Sequence, residues 1–173
     1  RTYIAFQGGI KSEKVMKSRC MYNGITECFK IKKNDKIVLN NSIKKSRSIN
    51  QEKTQKLILS DNIECYKGPE FHKLNKKNKE NLLQKQFSIS NNHNRMGYIL
   101  NEKIQNNIKP IITSHVIPGT VQLTPGGKII ILMRDCQTTG GYPRILQLTN
   151  NAINILSQKM TNSEIKFNIK QIS

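Results

Sequence analysis

The chain has 173 residues, of which 29 are Lys or Arg and 11 Asp or Glu, giving a formal charge of +18 with no Trp. That length buries a core in one domain or two small ones, and no apolar run approaches the roughly 20 residues of a membrane-spanning helix, so no membrane partner is expected. The lysines are scattered; their dense groups at 30–36, 44–47 and 73–79 sit among Asn and Ser and read as solvated loops, so no specific nucleic-acid binding is expected. Cys20, Cys28, Cys65 and Cys136 lack CxxC spacing and have no histidine at ligand spacing, which argues against a zinc site; no metal is expected. Scattered cysteines read as free thiols in a reducing, cytoplasmic compartment.

In chain order, residues 3–6 are β-branched and aromatic enough for a strand ended by Gly8 and Gly9. Residues 35–39 read as a short strand. Residues 44–53 are polar, charged and without periodicity, the pattern of a mobile loop. Residues 57–66 look like strand material broken near Ser60, and 78–84 like a short helix. Residues 87–90 alternate as a half-buried strand does. Residues 96–100 form a strand leaving a polar turn that contains Arg95. Residues 121–123 and 129–132 flank Pro125, Gly126 and Gly127 as a hairpin, and the second run is apolar enough to be buried on both faces. Residues 150–159 have helical spacing with Asn150 as cap, and 164–169 alternate as a closing strand. Many short strands and few helices predict a mainly β fold, a barrel.

The run 134–144 carries an inventory that a core strand does not need: Arg134, Asp135, Gln137, Thr138, Thr139, Gly140, Gly141, Tyr142 and Arg144. Donors and acceptors in fixed order suit a small polar ligand. Two glycines let the backbone approach it or adopt positive φ, and successive amides can form an anion nest. A decorated turn between two strands gives the same pattern. Arg95 suits a carboxylate bidentately or makes a surface ion pair. Asp135 serves as a general base, orients a ligand nitrogen or caps its own loop. Gln122, an amide within an apolar strand, braces a neighbouring loop or faces the site. His115 reads as structural, His93 as solvated, and Tyr98 as packed across its strand. Cys136 has no activating partner in view.

Three segments share order and spacing with a known family. NRMGYIL at 94–100, PGTVQLTPGGKIIIL at 118–132 and DCQTTGGYP at 135–143 resemble the family's "SDRMGYRL", "PGxIQxPxxGxPIxL" and "DxQTTGGYP". The opening RTYIAFQGGI is similar to "RAYLAVAGGI", and Arg19 resembles the arginine of a "GSR" segment whose glycine is Lys17 here. The family is that of the C-type component of prokaryotic ATP-dependent 5-oxoprolinase, which includes allophanate hydrolase subunit 2 and the related domain of biotin-dependent urea carboxylase. An antagonist of a sporulation-kinase inhibitor also belongs there. Asn94 stands where the family usually has an aspartate, so any carboxylate role there is lost.

The resemblance implies a cyclophilin-like β-barrel with few short helices. It also implies ring opening of 5-oxoproline to L-glutamate with ATP and a homologous B-type partner subunit. Asp135 and Arg95 are then expected to be catalytic, Gln137 to Tyr142 to bind substrate, and Gln122 and Arg19 to support the site from behind. No GxxxxGK[ST] run is present, so the ATP site is not assigned. The alternatives are a carboxyltransferase domain of a urea carboxylase, which would need a biotin-carrying partner, and a non-enzymatic regulator that binds a kinase-inhibitor homologue. The family's further N-terminal section has no match here and the chain starts at Arg1. Residues 1–173 are therefore expected to be a partial region, a fragment or truncated product, with a degraded pseudoenzyme as a further expectation.

Overall fold

The computed structural model describes residues 4–27, 29–41 and 59–171. The chain divides into two compact units, Arg1–Ile49 and Asn50–Ser173. The expected loop at 44–53 lies outside the described residues, as do Tyr3 and Cys28.

The first unit is built from turns. Its isolated bridges are Ile10 with Leu39 and Val15 with Ser18. Lys11 N donates to Val38 O and Asn40 N to Gly9 O. The strands expected at 3–6 and 35–39 are not found: residues 4–6 have no regular structure, and Leu39 takes part only in its single bridge. A β-prone run becomes a strand only when a second backbone meets its donors and acceptors over several residues.

In the second unit seven strands close into a barrel. Its strands are β1 Asn62–Lys67, β2 Phe87–His93, β3 Gly97–Lys103, β5 Thr120–Leu123, β6 Lys128–Leu132, β8 Arg144–Leu148 and β9 Glu164–Ile169; β4 (Ser114–His115) and β7 (Thr139–Gly140) lie outside it. The barrel strands neighbour one another in the order β1-β8-β5-β6-β3-β2-β9. The parallel pairing of β9 with β1, Ile63 against Phe167, closes the ring, while the other barrel pairs are antiparallel. Closure leaves the barrel without an unpaired edge. Alternation sends one face of each strand inward. Ile63, Cys65, Ile89, Val121, Ile129, Ile131 and Ile165 are fully buried, and Phe87 packs on Phe167 with centroids 5.6 Å apart. Burial pushes the Cys65 thiol up to about 12, so it stays protonated within the wall.

Two short helices pack against the barrel and add Leu82, Ala152, Ile153 and Leu156 to its core. Helix α1, Lys76–Gln84, starts two residues before the expected range and is capped by Asn75, whose side chain accepts from Asn78 N. Helix α2, Asn150–Gln158, is capped by Thr149 rather than Asn150, with Thr149 Oγ1 accepting from Ala152 N at 3.2 Å. Its buried face of Ala152, Ile153 and Leu156 follows the apolar spacing. Among the described residues no helix is long and apolar enough to cross a membrane.

The hairpin around Pro125 forms as expected, with Val121 opposite Ile131. The strand with both faces buried is β5 and not β6: all four β5 residues are buried, whereas Lys128 is exposed and Ile130 half-buried. Beside the barrel, β4 and β7 pair as a two-stranded ribbon. The side chain of Gln122 on β5 meets the residues that follow β7, so this ribbon is what covers the outer face of β5.

Candidate functional site

The strand registers bring the β2–β3 turn and the end of β6 to the same rim of the barrel. In that turn Asn94 accepts through Oδ1 from Met96 N at 2.8 Å and Gly97 N at 3.2 Å, while Asn94 N donates to Gly97 O. An Asx turn of this kind needs only a side-chain oxygen at that position. Asn94 therefore does locally what an aspartate would do. The turn holds Arg95 over the residues leaving β6. Asp135 N donates to Arg95 O at 3.0 Å, Met133 N donates to Met96 O at 2.9 Å, and Arg95 Nε meets Asp135 Oδ2 at 2.6 Å.

This ion pair keeps 68% and 42% of its side-chain surface, so its contribution to stability is small, about 0–1 kcal/mol. Its consequence is positional. Two groups from separate motifs are held together by backbone bonds on both sides and face water.

From Asp135 the chain passes Gln137 and Thr138, both exposed, and enters the ribbon. Val116 N donates to Thr138 O at 3.0 Å, His115 lies opposite Thr139, and Ile111 N donates to Gly141 O at 2.9 Å. The expected positive-φ glycines and anion nest are not found. Among the described residues, positive φ occurs at Gly8, Gly9, Gly24, Gly119, Gly127 and four non-glycines, none within 134–144. A nest needs alternating backbone handedness, and this ribbon is extended. Gly140 permits close approach instead: a Cβ there would lie 2.6 Å from Gln122 Nε2, so the buried amide would have to shift. Gln122, 1% exposed, donates to Tyr142 O at 3.4 Å. It braces the loop from beneath, the first of its two sequence readings.

The exit of the loop is fixed by a group that the sequence did not reveal. Glu70 accepts from Arg144 Nε and Nη2, each at 3.0 Å, and from Arg144 N at 2.8 Å. Arg144 Nη1 donates to His115 O, joining β8 to the ribbon. The pair keeps only 20% and 12% of its side-chain surface. The guanidinium's hydrogen bonds hold the Glu70 carboxyl below its usual range and raise Arg144 in return. Arg134 turns the other way, to Asn150 and Asn154 on α2.

Other expected residues fall in plain structural roles. Gly119, at φ 89°, donates to Leu132 O and accepts from Leu148 N, stitching β6 to β8 where a side chain would clash with Gln147 and Ile153. Tyr98 is fully buried. His93 is half-buried rather than solvated: its ring meets Tyr98 in a tilted contact with centroids 5.0 Å apart, and Nε2 pairs with Thr161 Oγ1 at 3.1 Å. Burial, with the Asp135 charge adding to it, pushes the Cys136 thiol up, which does not favour a thiolate nucleophile. Arg19 lies in the first unit, where Nη1 donates to Ser12 O.

Among the described residues of the second unit, two grooves lie apart from residues 134–144. One of about 640 Å³ runs between the Phe71–Lys73 turn, the start of α1 and the segment after β3, with Lys73 and Lys109 among its lining residues. The other, of about 430 Å³, is lined by Asn62, Leu83 and residues 166–169.

Residues 1–169 match the family described as carboxyltransferase domain, subdomain A and B. The chain belongs to that family. It is 32% identical over 152 residues to the C-type component of 5-oxoprolinase from Escherichia coli (strain K12), covering 84% of this chain and 48% of the relative. It is 34% identical over 111 residues to the corresponding 5-oxoprolinase component of Haemophilus influenzae, covering 63% of this chain and 36% of that protein. The chain thus spans about half the length, or less, of the curated relatives it matches. The Kluyveromyces lactis urea carboxylase structure superposes with a TM-score of 0.66 over 94% of this chain and 17% of its own, at 17% identity, a likeness of fold. Within this carboxyltransferase-domain family member the three motifs converge on one rim and flank: 94–100 supplies Arg95, 118–132 the covered strand and 135–143 the polar ribbon.

Proposed function

We propose that the chain serves in a 5-oxoprolinase as its C-type component, opening 5-oxoproline to L-glutamate together with a B-type partner subunit. The observation that carries this reading is the Arg95–Asp135 pair, held by backbone bonds at the head of the DCQTTGGYP ribbon. The identity to the two bacterial 5-oxoprolinase components supports it. The likeness to urea carboxylase is one of fold, so carboxyl transfer with a biotin-carrying partner remains the second reading.

In this reading the guanidinium of Arg95 takes the substrate carboxylate in its planar fork, an arrangement that a lysine reproduces poorly. Asp135 keeps the guanidinium oriented and offers an acceptor to the lactam N–H. Gln137, Thr138, Thr139 and Tyr142 surround the ring with polar groups along the ribbon, with Gly140 and Gly141 as its backbone floor. Gln122 supports that floor. Amide resonance opposes ring opening, and ATP, when bound, supplies the phosphoryl group that activates the amide oxygen. The ribbon is a poor match for a triphosphate, since Arg134 and Arg144 are engaged by α2 and Glu70. The lysine-lined groove fits phosphates better.

The test is ATP-dependent release of glutamate from 5-oxoproline, using the complete protein with its B-type partner. Turnover that requires both proteins and ATP is the expected result. Bicarbonate-dependent carboxylation of urea when a biotin-carrying partner replaces the B-type partner, with no glutamate released from 5-oxoproline, would favour the second reading and overturn the first.

A further inference from the structure

The lysines at 73–79, read from sequence as part of a solvated loop, acquire a fixed setting in the structure. Lys73 ends a short 3-10 turn, and Lys109 lies on the segment between β3 and β4. Both line the 640 Å³ groove, one from each wall, together with Asn75, Gln105 and Asn107. The walls are pinned to each other. Asn78, 7% exposed, donates through Nδ2 to Gln105 O at 2.9 Å. Asn106 donates to Ile104 O and Thr124 O and accepts from Ile108 N, which fixes the shape of the 104–110 segment. The start of α1 is closed by its own cap, so the helix terminus is not the feature that matters.

We propose that this groove binds a compact polyphosphate, such as the triphosphate of a nucleotide. Its volume lies within the usual range for small-ligand sites, roughly 300–1,000 Å³. Two lysines line the groove among Asn and Gln side chains, and Glu70, the residue before the 3-10 turn, is paired with Arg144. Lys67 and Lys79 lie 5.5 and 5.6 Å from the ring centroid of Phe71, the first residue of the 3-10 turn that ends in Lys73, and add positive charge to that turn. Carboxamides of Asn and Gln offer N–H donors to phosphate oxygens without adding negative charge. The proposal supplies the phosphate site that the ring-opening reading needs, yet its test requires no turnover.

The test is calorimetric titration of the chain with inorganic tripolyphosphate at about 150 mM salt, where long-range attraction to a +18 chain is largely screened. Lys73→Gln with Lys109→Gln is expected to lower affinity by about tenfold or more, the cost of two charge-assisted contacts. Lys85→Gln with Lys166→Gln removes the same charge away from the groove and is expected to change affinity less than about twofold. In the unsubstituted chain the amide resonances of 105–109 should shift on titration. Equal losses in the two paired variants, no shift at 105–109, or no binding at all would each overturn the proposal.

Discussion

At the scale of single residues, two contacts decide how the ribbon is held, and both make predictions. The first is Gly140 against Gln122. Gly140→Ala drives a methyl into a buried amide that already bonds Tyr142, which should cost about 1–3 kcal/mol. In a Gln122→Ala background the same substitution should cost much less, because the obstruction is gone. Chemical denaturation of the four proteins gives the coupling directly; additivity would show that Gln122 does not support Gly140. The second is Glu70 with Arg144. The folded-state carboxyl sits below its unfolded value, near about 4.3, so the pair stabilises the fold above that value. Its contribution is lost as pH falls through the lower folded-state value. Glu70→Gln should therefore cost stability at neutral pH, roughly 1–3 kcal/mol for a shielded group left with a weaker partner. It should also flatten the acid-induced loss seen in thermal melts; melting temperatures that fall in parallel as the solution is acidified would contradict this.

At the scale of elements, the structure separates what local pattern encodes from what tertiary neighbours impose. The alternation at 164–169, the Pro-Gly-Gly hairpin and the helical spacing of Ala152, Ile153 and Leu156 were legible because each depends on residues close in sequence. The cap of α2 was displaced by one residue, since Thr149 and Asn150 are both acceptable caps and only backbone geometry selects between them. Thr149→Ala should destabilise by about 1 kcal/mol, whereas Asn150→Ala should cost less, both read by thermal denaturation. The reverse order would show that the cap belongs to Asn150 after all. Double burial of β5 was not legible, because the ribbon that covers it comes from residues on either side of it in sequence. Residues 3–6 and 35–39 had strand-like composition, yet residues 4–6 and 35–39 meet no extended ladder partner.

At the scale of the whole molecule, the family motifs named candidate residues, and the fold decides which of them meet. Arg95 and Asp135 were named from separate motifs and the fold joins them. The loop was expected to offer positive-φ glycines and an anion nest of successive amides; its backbone is extended, and Gly140 permits close packing instead. Glu70 was invisible because its partner lies 74 residues away and nothing in its surroundings marks it. The ring-opening account accordingly stands or falls on the exposed guanidinium–carboxylate pair and not on the loop's backbone. The most direct measurement is steady-state hydrolysis of 5-oxoproline by the complete protein with its B-type partner, setting Arg95→Lys against the unsubstituted enzyme. Loss of a planar fork on a charged ligand predicts kcat/KM lower by about 10–100-fold, with assembly and melting temperature unchanged. Unaltered kcat/KM in Arg95→Lys, in an otherwise active complex, would contradict the account.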